Sequence, residues 1–272
     1  MLRETWALTV RELKHWYRVK IQVFMTLIQP IVWLGLFGQA FNFGTFLPPA
    51  QIPMIFSGAP DYFSFMSLGM LAVNALFTCM FSGMSIVWDR RFGFLNKLKV
   101  APIPRGAVPL SRIMATVVRS LIQVTIVLVI ALAFAYIPGL TGLTLKVGFS
   151  ITDLLGMFFV LFLLSVAFSA MFTTVALAVE NQETLFGLIN LLNLPLMFAS
   201  AALFPTAMMP DWLKGIANYN PLTWAADALR QFAFVDIAPI HDLWFDIIGL
   251  VAIAAVLLGI SMVVSRKLLS NR

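Results

Sequence analysis

The chain has 272 residues, of which 61% are hydrophobic and only 11% are charged, and its mean hydropathy is +0.94. A soluble domain carries about 25% charged residues, so this composition excludes an ordinary water-soluble fold and indicates a protein surrounded by lipid. The basic residues behind the net charge of +6 are not interleaved with surface aromatic residues, so we expect no nucleic-acid partner.

The apolar stretches are long and unbroken, as in Val124–Ala135 and Gly249–Val264. A membrane β-barrel would instead show segments of about ten residues that alternate apolar and polar side chains. Because every backbone polar group in lipid needs an internal partner, these stretches predict an all-α integral membrane protein.

Residues 1–20 combine apolar and charged side chains with helical periodicity. Leu2, Trp6, Val10 and Leu13 recur at steps of three or four, and the charged residues fall mainly between them. This pattern predicts an amphipathic helix lying flat in the membrane interface. The alternative is a helix packed on a soluble domain.

Residues 21–272 form the predicted transmembrane domain. Each of its six apolar segments has about twenty residues or more, which crosses ~30 Å of hydrocarbon at 1.5 Å per residue. Pro195 predicts a kink or break in the fifth segment. The six predicted spans are 21–43, 62–87, 112–136, 151–179, 184–204 and 244–265.

The lysine and arginine residues predict the orientation. Fifteen of the 18 lie in residues 1–20, in the connection between spans two and three with the first turns of span three, or in the C-terminal tail. The positive-inside rule therefore places both termini in the cytoplasm, where basic side chains also meet anionic lipid.

Several chemical motifs are absent from the sequence. It contains no G-x-x-x-x-G-K-[ST] motif, so we expect that the chain does not bind nucleotide phosphates by itself. His15 and His241 are far apart, and no metal-ligand spacing is visible. We therefore expect no catalytic residue, no metal and no cofactor bound by this chain.

The predicted spans hold neutral polar residues rather than the ionisable residues that ion-coupled carriers usually keep at mid-membrane. Hydrogen bonding between helices explains such residues, and lining of a translocation path is the alternative. Asn190 and Asn193 point most clearly to a path, because they lie one turn apart just before Pro195. The predicted path residues are Asn74, Thr78, Asn190, Asn193, Pro195 and Phe198.

Residues 88–105 read WDRRFGFLNKLKVAPIPR. The segment is basic but carries an apolar face, and Pro102 and Pro104 end any helix there. It is either a basic interfacial loop or a helix whose apolar face docks into a groove on a soluble partner.

This segment resembles the first cytoplasmic loop of ABC-2 type ABC transporter permeases, E-R-E-x-G-x-L-x-x-L-x-x-[TA]-P. The match covers Arg90, Gly93, Leu95, Leu98, Ala101 and Pro102, with Asp89 as the first acid, and Arg91 departs from the pattern. The resemblance implies a coupling helix over 88–104. The residues that it assigns to ATPase coupling are Asp89, Arg90, Arg91, Phe92, Gly93, Phe94, Leu95, Leu98 and Pro102.

Residues 204–230 are similar to a second pattern of that family, F-P-x(3–4)-[LM]-P-x-W-L followed by N-P-L-[TS]-[YW]-x(2)-D-x-[LFI]-R. The resemblance implies that 205–243 forms short re-entrant outer helices. Trp212, Tyr219 and Trp224 are typical interfacial aromatics, and Asp227 with Arg230 has the spacing of an i, i+3 ion pair. The implied outer-gate residues are Phe204, Pro205, Pro210, Trp212, Asn220, Pro221, Trp224, Asp227 and Arg230.

Within this family, the chain resembles the daunorubicin-resistance type of permease. The resemblance implies a fold like that of the type V exporters. The resemblance implies a non-enzymatic permease of a prokaryotic inner membrane, docked to a cytoplasmic ATPase that binds ATP and Mg²⁺. It also implies a second permease copy as a homodimer, a path at the two-fold interface where spans two and five part, and export of a hydrophobic or amphipathic compound. A lipid-linked glycan exporter and a non-transporting scaffold that recruits an ATPase are the alternatives.

Overall fold

The computed structural model describes residues 2–41, 48, 51–91, 104, 106–179, 181–234 and 239–270. All regular secondary structure in these ranges is helical, which confirms the predicted all-α class. The helices are α1 Leu2–Arg18, α2 Lys20–Val32, α3 Ile52–Ile55, α4 Tyr62–Arg91, α5 Ala107–Ala133, α6 Ile151–Ala178, α7 Gln182–Phe198, α8 Asp211–Asn218, α9 Pro221–Ala233 and α10 Leu243–Ser270.

Four helical segments in the described residues are long and apolar enough to cross a membrane. They match the predicted second, third, fourth and sixth spans, because unbroken runs of apolar residues dictate both length and helical form in lipid. The four segments are Tyr62–Gly83, Ala107–Tyr136, Ile151–Ala178 and Leu243–Lys267.

The first and fifth predicted spans fall on shorter helices. Helix α2 contains Pro30 and ends at Val32. A π-helical turn at Trp33–Phe37 and a short helix at Gly38–Ala40 follow it directly. Helix α7 ends at Phe198, three residues after Pro195, which lies inside the helix. The kink or break predicted at Pro195 stays a prediction, as does the count of six spans.

Helix α4 forms the centre of the bundle. Of its apolar stretch, 94% is buried within the single chain, whereas only 17% of the apolar stretch of α10 is buried. Helices α5, α6 and α9 pack around α4, and α10 packs on α6 and α9. The outer face of α10 is therefore left to lipid.

Gly69 allows the closest approach to α4. A Cβ atom at this position would lie 1.7 Å from the backbone oxygen of Ala202, in the turn after α7. Such a distance is far inside van der Waals contact, so only glycine lets this turn lie directly on α4. The backbone of the outer turn is thereby fixed against the centre of the bundle.

We expect Gly69→Ala to destabilise the protein by about 3 kcal/mol or more, at the upper end of overpacking effects, because the clash involves backbone. Thermal unfolding of the purified chain in lipid nanodiscs measures this. Gly259→Ala in α10 is the matched control, since a Cβ there meets nothing within 4 Å. Equal melting temperatures of the two variants would contradict the packing argument.

Candidate functional site

Helix α1 attaches to α5 through its polar face. Trp6 and Tyr17, from the predicted apolar stripe, are 59% and 75% exposed, which leaves them free for the membrane interface. The residues of α1 that are buried follow helical spacing along the opposite face. They are Thr5, Thr9, Glu12 and Trp16.

A buried ion cluster joins α1 to α5. Glu12 Oε2 lies 3.4 Å from Arg112 Nη1 and 3.6 Å from Arg119 Nη2. Arg119 Nη2 also donates a 2.6 Å hydrogen bond to the Glu12 backbone oxygen. All three side chains are at most 10% exposed, so removing the carboxylate would leave two buried charges without their partner. We call these three residues the clasp.

Arg112 and Arg119 enter the predicted orientation only as basic residues, and Glu12 is not among the predicted site residues. The structure shows that Arg119 is paired inside the protein rather than extended to the membrane surface. One signal was available: Arg112 and Arg119 are seven residues apart, which places them on the same face of a helix. Pairing across two distant helices is not visible in a charge count.

The predicted coupling helix lies largely outside the described residues. Helix α4 runs on to Arg91, so the backbone of Asp89, Arg90 and Arg91 continues the second span. The remaining predicted residues of this group lie beyond the described part of the chain. They are Phe92, Gly93, Phe94, Leu95, Leu98 and Pro102. The clasp holds α5 through Arg112 in its second turn and Arg119 in its fourth turn after the start at Ala107.

Neutral hydrogen bonds connect the three central helices. Thr78 of α4 donates to Gln123 of α5, and the hydroxyls of Ser120 in α5 and Ser165 in α6 are 2.8 Å apart. Thr78 also bonds the backbone oxygen of Asn74 at 2.9 Å. For Thr78, Gln123 and Ser165 the helix–helix bonding interpretation therefore accounts for the contacts seen.

The six predicted path residues do not share one surface. Asn74 and Thr78 lie in the buried core of α4, and Asn193 lies on the buried side of α7. Both polar side-chain atoms of Asn74 and the Oδ1 of Asn193 are buried without a hydrogen-bond partner. The other three lie on the exposed side of α7. They are Asn190, Pro195 and Phe198.

Asn220 joins the end of α7 to the start of α9. Its Nδ2 donates to the backbone oxygens of Leu196 and Ala199 at 2.9 and 2.8 Å, and its Oδ1 accepts from Leu222 N at 2.9 Å. One side chain thus caps the C-terminus of one helix and the N-terminus of the next. Pro221 occupies the first turn of α9, where its missing N–H costs nothing.

Arg230 is fully buried between α9, α4 and the turn after α7. Its guanidinium lies 3.6 Å from the centre of the Phe65 ring, and Nη2 donates to the oxygens of Phe65 and Ala202 at 3.2 and 3.0 Å. The Asp227 carboxylate instead accepts from the backbone of Ile240 and His241. The two side chains of the predicted i, i+3 ion pair therefore bind different partners.

The aromatic residues of the outer region divide into two groups. Trp212 of α8 and Tyr219, the residue that follows α8, are 70% and 77% exposed, which suits interfacial residues. Trp224 is half-buried, packs edge-on against Phe245 at 6.1 Å and donates Nε1–H to the oxygen of Asn218.

The remaining predicted gate residues also divide by burial. Pro205 is buried, whereas Phe204 and Pro210 are exposed. Two short helices, α8 and α9, occupy the region predicted to be re-entrant, and their depth in the membrane stays a prediction.

Comparison with known proteins gives a consistent result. Residues 3–234 match the family model described as ABC-2 type transporter. The chain is 32% identical over 230 residues to the putative transport permease ycf38 of Cyanophora paradoxa, covering 84% of this chain and 73% of that protein. It is 25% identical over 232 residues to the probable doxorubicin resistance ABC transporter permease DrrC of Mycobacterium tuberculosis (85% and 76% covered). It is 21% identical over 213 residues to the daunorubicin resistance permease DrrB1 of Streptomyces coeruleorubidus (78% and 68% covered).

We expect Glu12→Gln to destabilise the protein by about 3–5 kcal/mol, because it removes the carboxylate that pairs with both buried guanidinium groups, Arg112 and Arg119. Thermal unfolding in lipid nanodiscs measures the loss. Arg11→Gln is the control: the Arg11 side chain is 42% exposed and lies 3.0 Å from Glu12, and exposed ion pairs contribute about 1 kcal/mol or less. Similar melting temperatures for the two variants would show that the clasp is not structural.

Proposed function

Because the chain belongs to the ABC-2 type transporter family, we propose that it is the permease subunit of an ATP-driven exporter. Membrane subunits of this family are generally not catalytic. The proposal therefore assigns ATP and Mg²⁺ to a separate cytoplasmic ATPase, which docks on residues 88–104. The observation that carries this mechanism is the clasp, which ties α1 to α5 just after the proposed docking segment.

Transmission of force follows from this arrangement. The docking segment links the end of α4 to the start of α5, and Glu12 holds α1 on the first turns of α5. A displacement of the segment by the ATPase therefore moves both α4 and α5. Helix α1 moves with α5, because the clasp joins the two helices. In this mechanism α1 works as a lever in the plane of the membrane surface.

The proposed second copy of the chain packs against the exposed side of α7. Leu191 and Leu194 are 67% and 52% exposed, and Asn190 lies on the same side. An amide facing lipid hydrocarbon would lack hydrogen-bond partners, so this side is better covered by protein or by the path. The core of α4 is buried within one chain, which favours a path along α7 rather than along α4.

The proposed location is a prokaryotic inner membrane with both termini in the cytoplasm. The asymmetry of lysine and arginine supports this orientation. The multi-pass character follows from the four apolar helices. The six-span architecture adds α2 with its extension and α7 as the first and fifth spans.

The proposed substrate is a hydrophobic or amphipathic compound. Two relatives carry doxorubicin and daunorubicin resistance in their names. Apart from Glu183 in the first turn, the exposed side of α7 offers leucine, phenylalanine and a neutral amide rather than fixed charges. Such a surface suits loosely selective apolar contact.

The test of the proposal is co-purification of the chain from its native membrane, followed by reconstitution with the captured ATPase. We expect a stoichiometric soluble protein with a P-loop and ATP hydrolysis that rises when an amphipathic compound is added. An ATPase partner without any stimulation or transport would favour the scaffold alternative. No nucleotide-binding partner under gentle conditions would overturn the proposal.

We expect the triple variant Arg90→Asp, Arg91→Asp, Phe94→Asp to lose the ATPase partner while keeping its fold. The two arginine substitutions reverse the charge of the docking segment, and Phe94→Asp puts a carboxylate on its apolar face. Both changes oppose docking of a partner on this segment. Co-purification and thermal unfolding are measured together. Lys214→Asp, in the exposed part of α8, is the control for charge. Unchanged co-purification of the triple variant would refute the coupling assignment.

We expect Asn190→Leu to weaken association of two copies by roughly tenfold, since an interhelical hydrogen bond in a membrane contributes about 1–2 kcal/mol. Energy transfer between labelled copies in vesicles measures association, and transport is assayed alongside. Stability should change by less than about 0.5 kcal/mol because the side chain is exposed within one chain. Asn193→Leu, on the buried side, serves as the comparison. A loss of folded protein without weaker association in Asn190→Leu would contradict this role.

A further inference from the structure

A cluster of potential metal ligands lies where α9 meets the start of α10. Asp227 in α9, His241 in the connecting segment and Asp246 in α10 each offer one ligand atom, and these atoms all lie within 4.8 Å of one another. Both carboxylates are fully buried, and the His241 side chain is 18% exposed. Three separate elements therefore converge on one point.

One oxygen of each carboxylate is already occupied. Asp227 Oδ2 accepts from the backbone N–H groups of Ile240 and His241 at 2.9 and 3.0 Å. Gln231 Nε2 lies 3.2 Å from the same oxygen and 3.3 Å from Asp246 Oδ2. These bonds fix the position of both carboxylates and leave their second oxygens free.

The second oxygens have no hydrogen-bond partner. Asp227 Oδ1, Asp246 Oδ1 and His241 Nδ1 are all buried and make no hydrogen bond, and the last two lie 3.4 Å apart, which is an ion pair only when the imidazole is protonated. A buried acceptor without a partner is costly, and native structures rarely leave one unexplained. Three such atoms at one point indicate a missing ligand of positive charge.

The neighbouring cation does not fill this position. Arg230 is held by the backbone oxygens of Phe65 and Ala202 and by the Phe65 ring. Two buried carboxylates thus lie near a single guanidinium, and the hydrogen bonds of that guanidinium go to other groups. A cation bound between the carboxylates and the imidazole would relieve their mutual repulsion.

We propose that Asp227, His241 and Asp246 bind a divalent transition metal of the Zn²⁺ type. One imidazole nitrogen and two carboxylate oxygens are a ligand set that suits zinc at about 2.0–2.2 Å, with water in the fourth position. Calcium and magnesium prefer six or more oxygen ligands. The Gln231 amide, bonded to both carboxylates, positions the ligands. The bound metal would lock α9, the connecting segment and α10 together.

The test uses the purified full-length permease in nanodiscs, with its affinity tag removed, and Zn²⁺ alone as the probe. Equilibrium dialysis with elemental analysis gives stoichiometry and affinity, and thermal unfolding with and without Zn²⁺ gives stabilisation. We expect one Zn²⁺ per chain and a raised melting temperature for the wild type.

His241→Gln is the informative variant, because the backbone N–H of residue 241, rather than the imidazole, holds Asp227. We expect this variant and Asp246→Asn to bind Zn²⁺ more than about tenfold more weakly, since even groups that only orient ligands contribute this much. Asp211→Asn, an exposed carboxylate in α8, should bind like the wild type. Absence of saturable binding to the wild type, or equal binding by His241→Gln, would overturn the proposal.

Discussion

The buried guanidinium of Arg230 is the constraint on which the outer half of the structure depends. A charge removed from water costs several kcal/mol unless it is compensated. Here part of the compensation comes from the ring and backbone oxygen of Phe65 and from the oxygen of Ala202, while Nε and Nη1 make no hydrogen bond. The latter is within reach because Gly69 lets the turn lie against α4, while Asn220 holds the same turn from α9. The conformation of the turn, Gly69 and the Asn220 cap thus all help to position the carbonyl oxygen that binds the Arg230 guanidinium.

The same physics acts at the other end of the bundle, where Glu12 compensates two arginines. Between these ends, the central helices are joined by neutral bonds, including Thr78 to Gln123 and Ser120 to Ser165. Charged contacts thus attach α1 to α5 and α9 to the outer turn, and neutral contacts join α4, α5 and α6 to one another.

Four membrane helices could be predicted from the sequence because uninterrupted apolar length has one structural meaning in lipid. The face that each helix buries could not be predicted from the sequence. Residues 1–20 show an apolar stripe, yet Glu12 on the polar face makes the attachment, since a charge count does not reveal partners. The resemblance marked Asn220 and Arg230 as part of an outer gate, whereas both are buried in a joint between α4, α7 and α9. The approach of His241 to two aspartates depends on the fold, because they come from three elements.

The distribution of burial also indicates where the bundle can move. Helix α4 is enclosed on all sides, so displacing its core residues would open the interior. Helix α7 buries a single stripe: Leu185, Ile189, Asn193 and Met197. A helix held along one stripe can exchange its remaining contacts with another chain or a substrate without exposing the core. Because Asn220 fixes the end of α7 to α9, movement of α7 would pivot about its outer end.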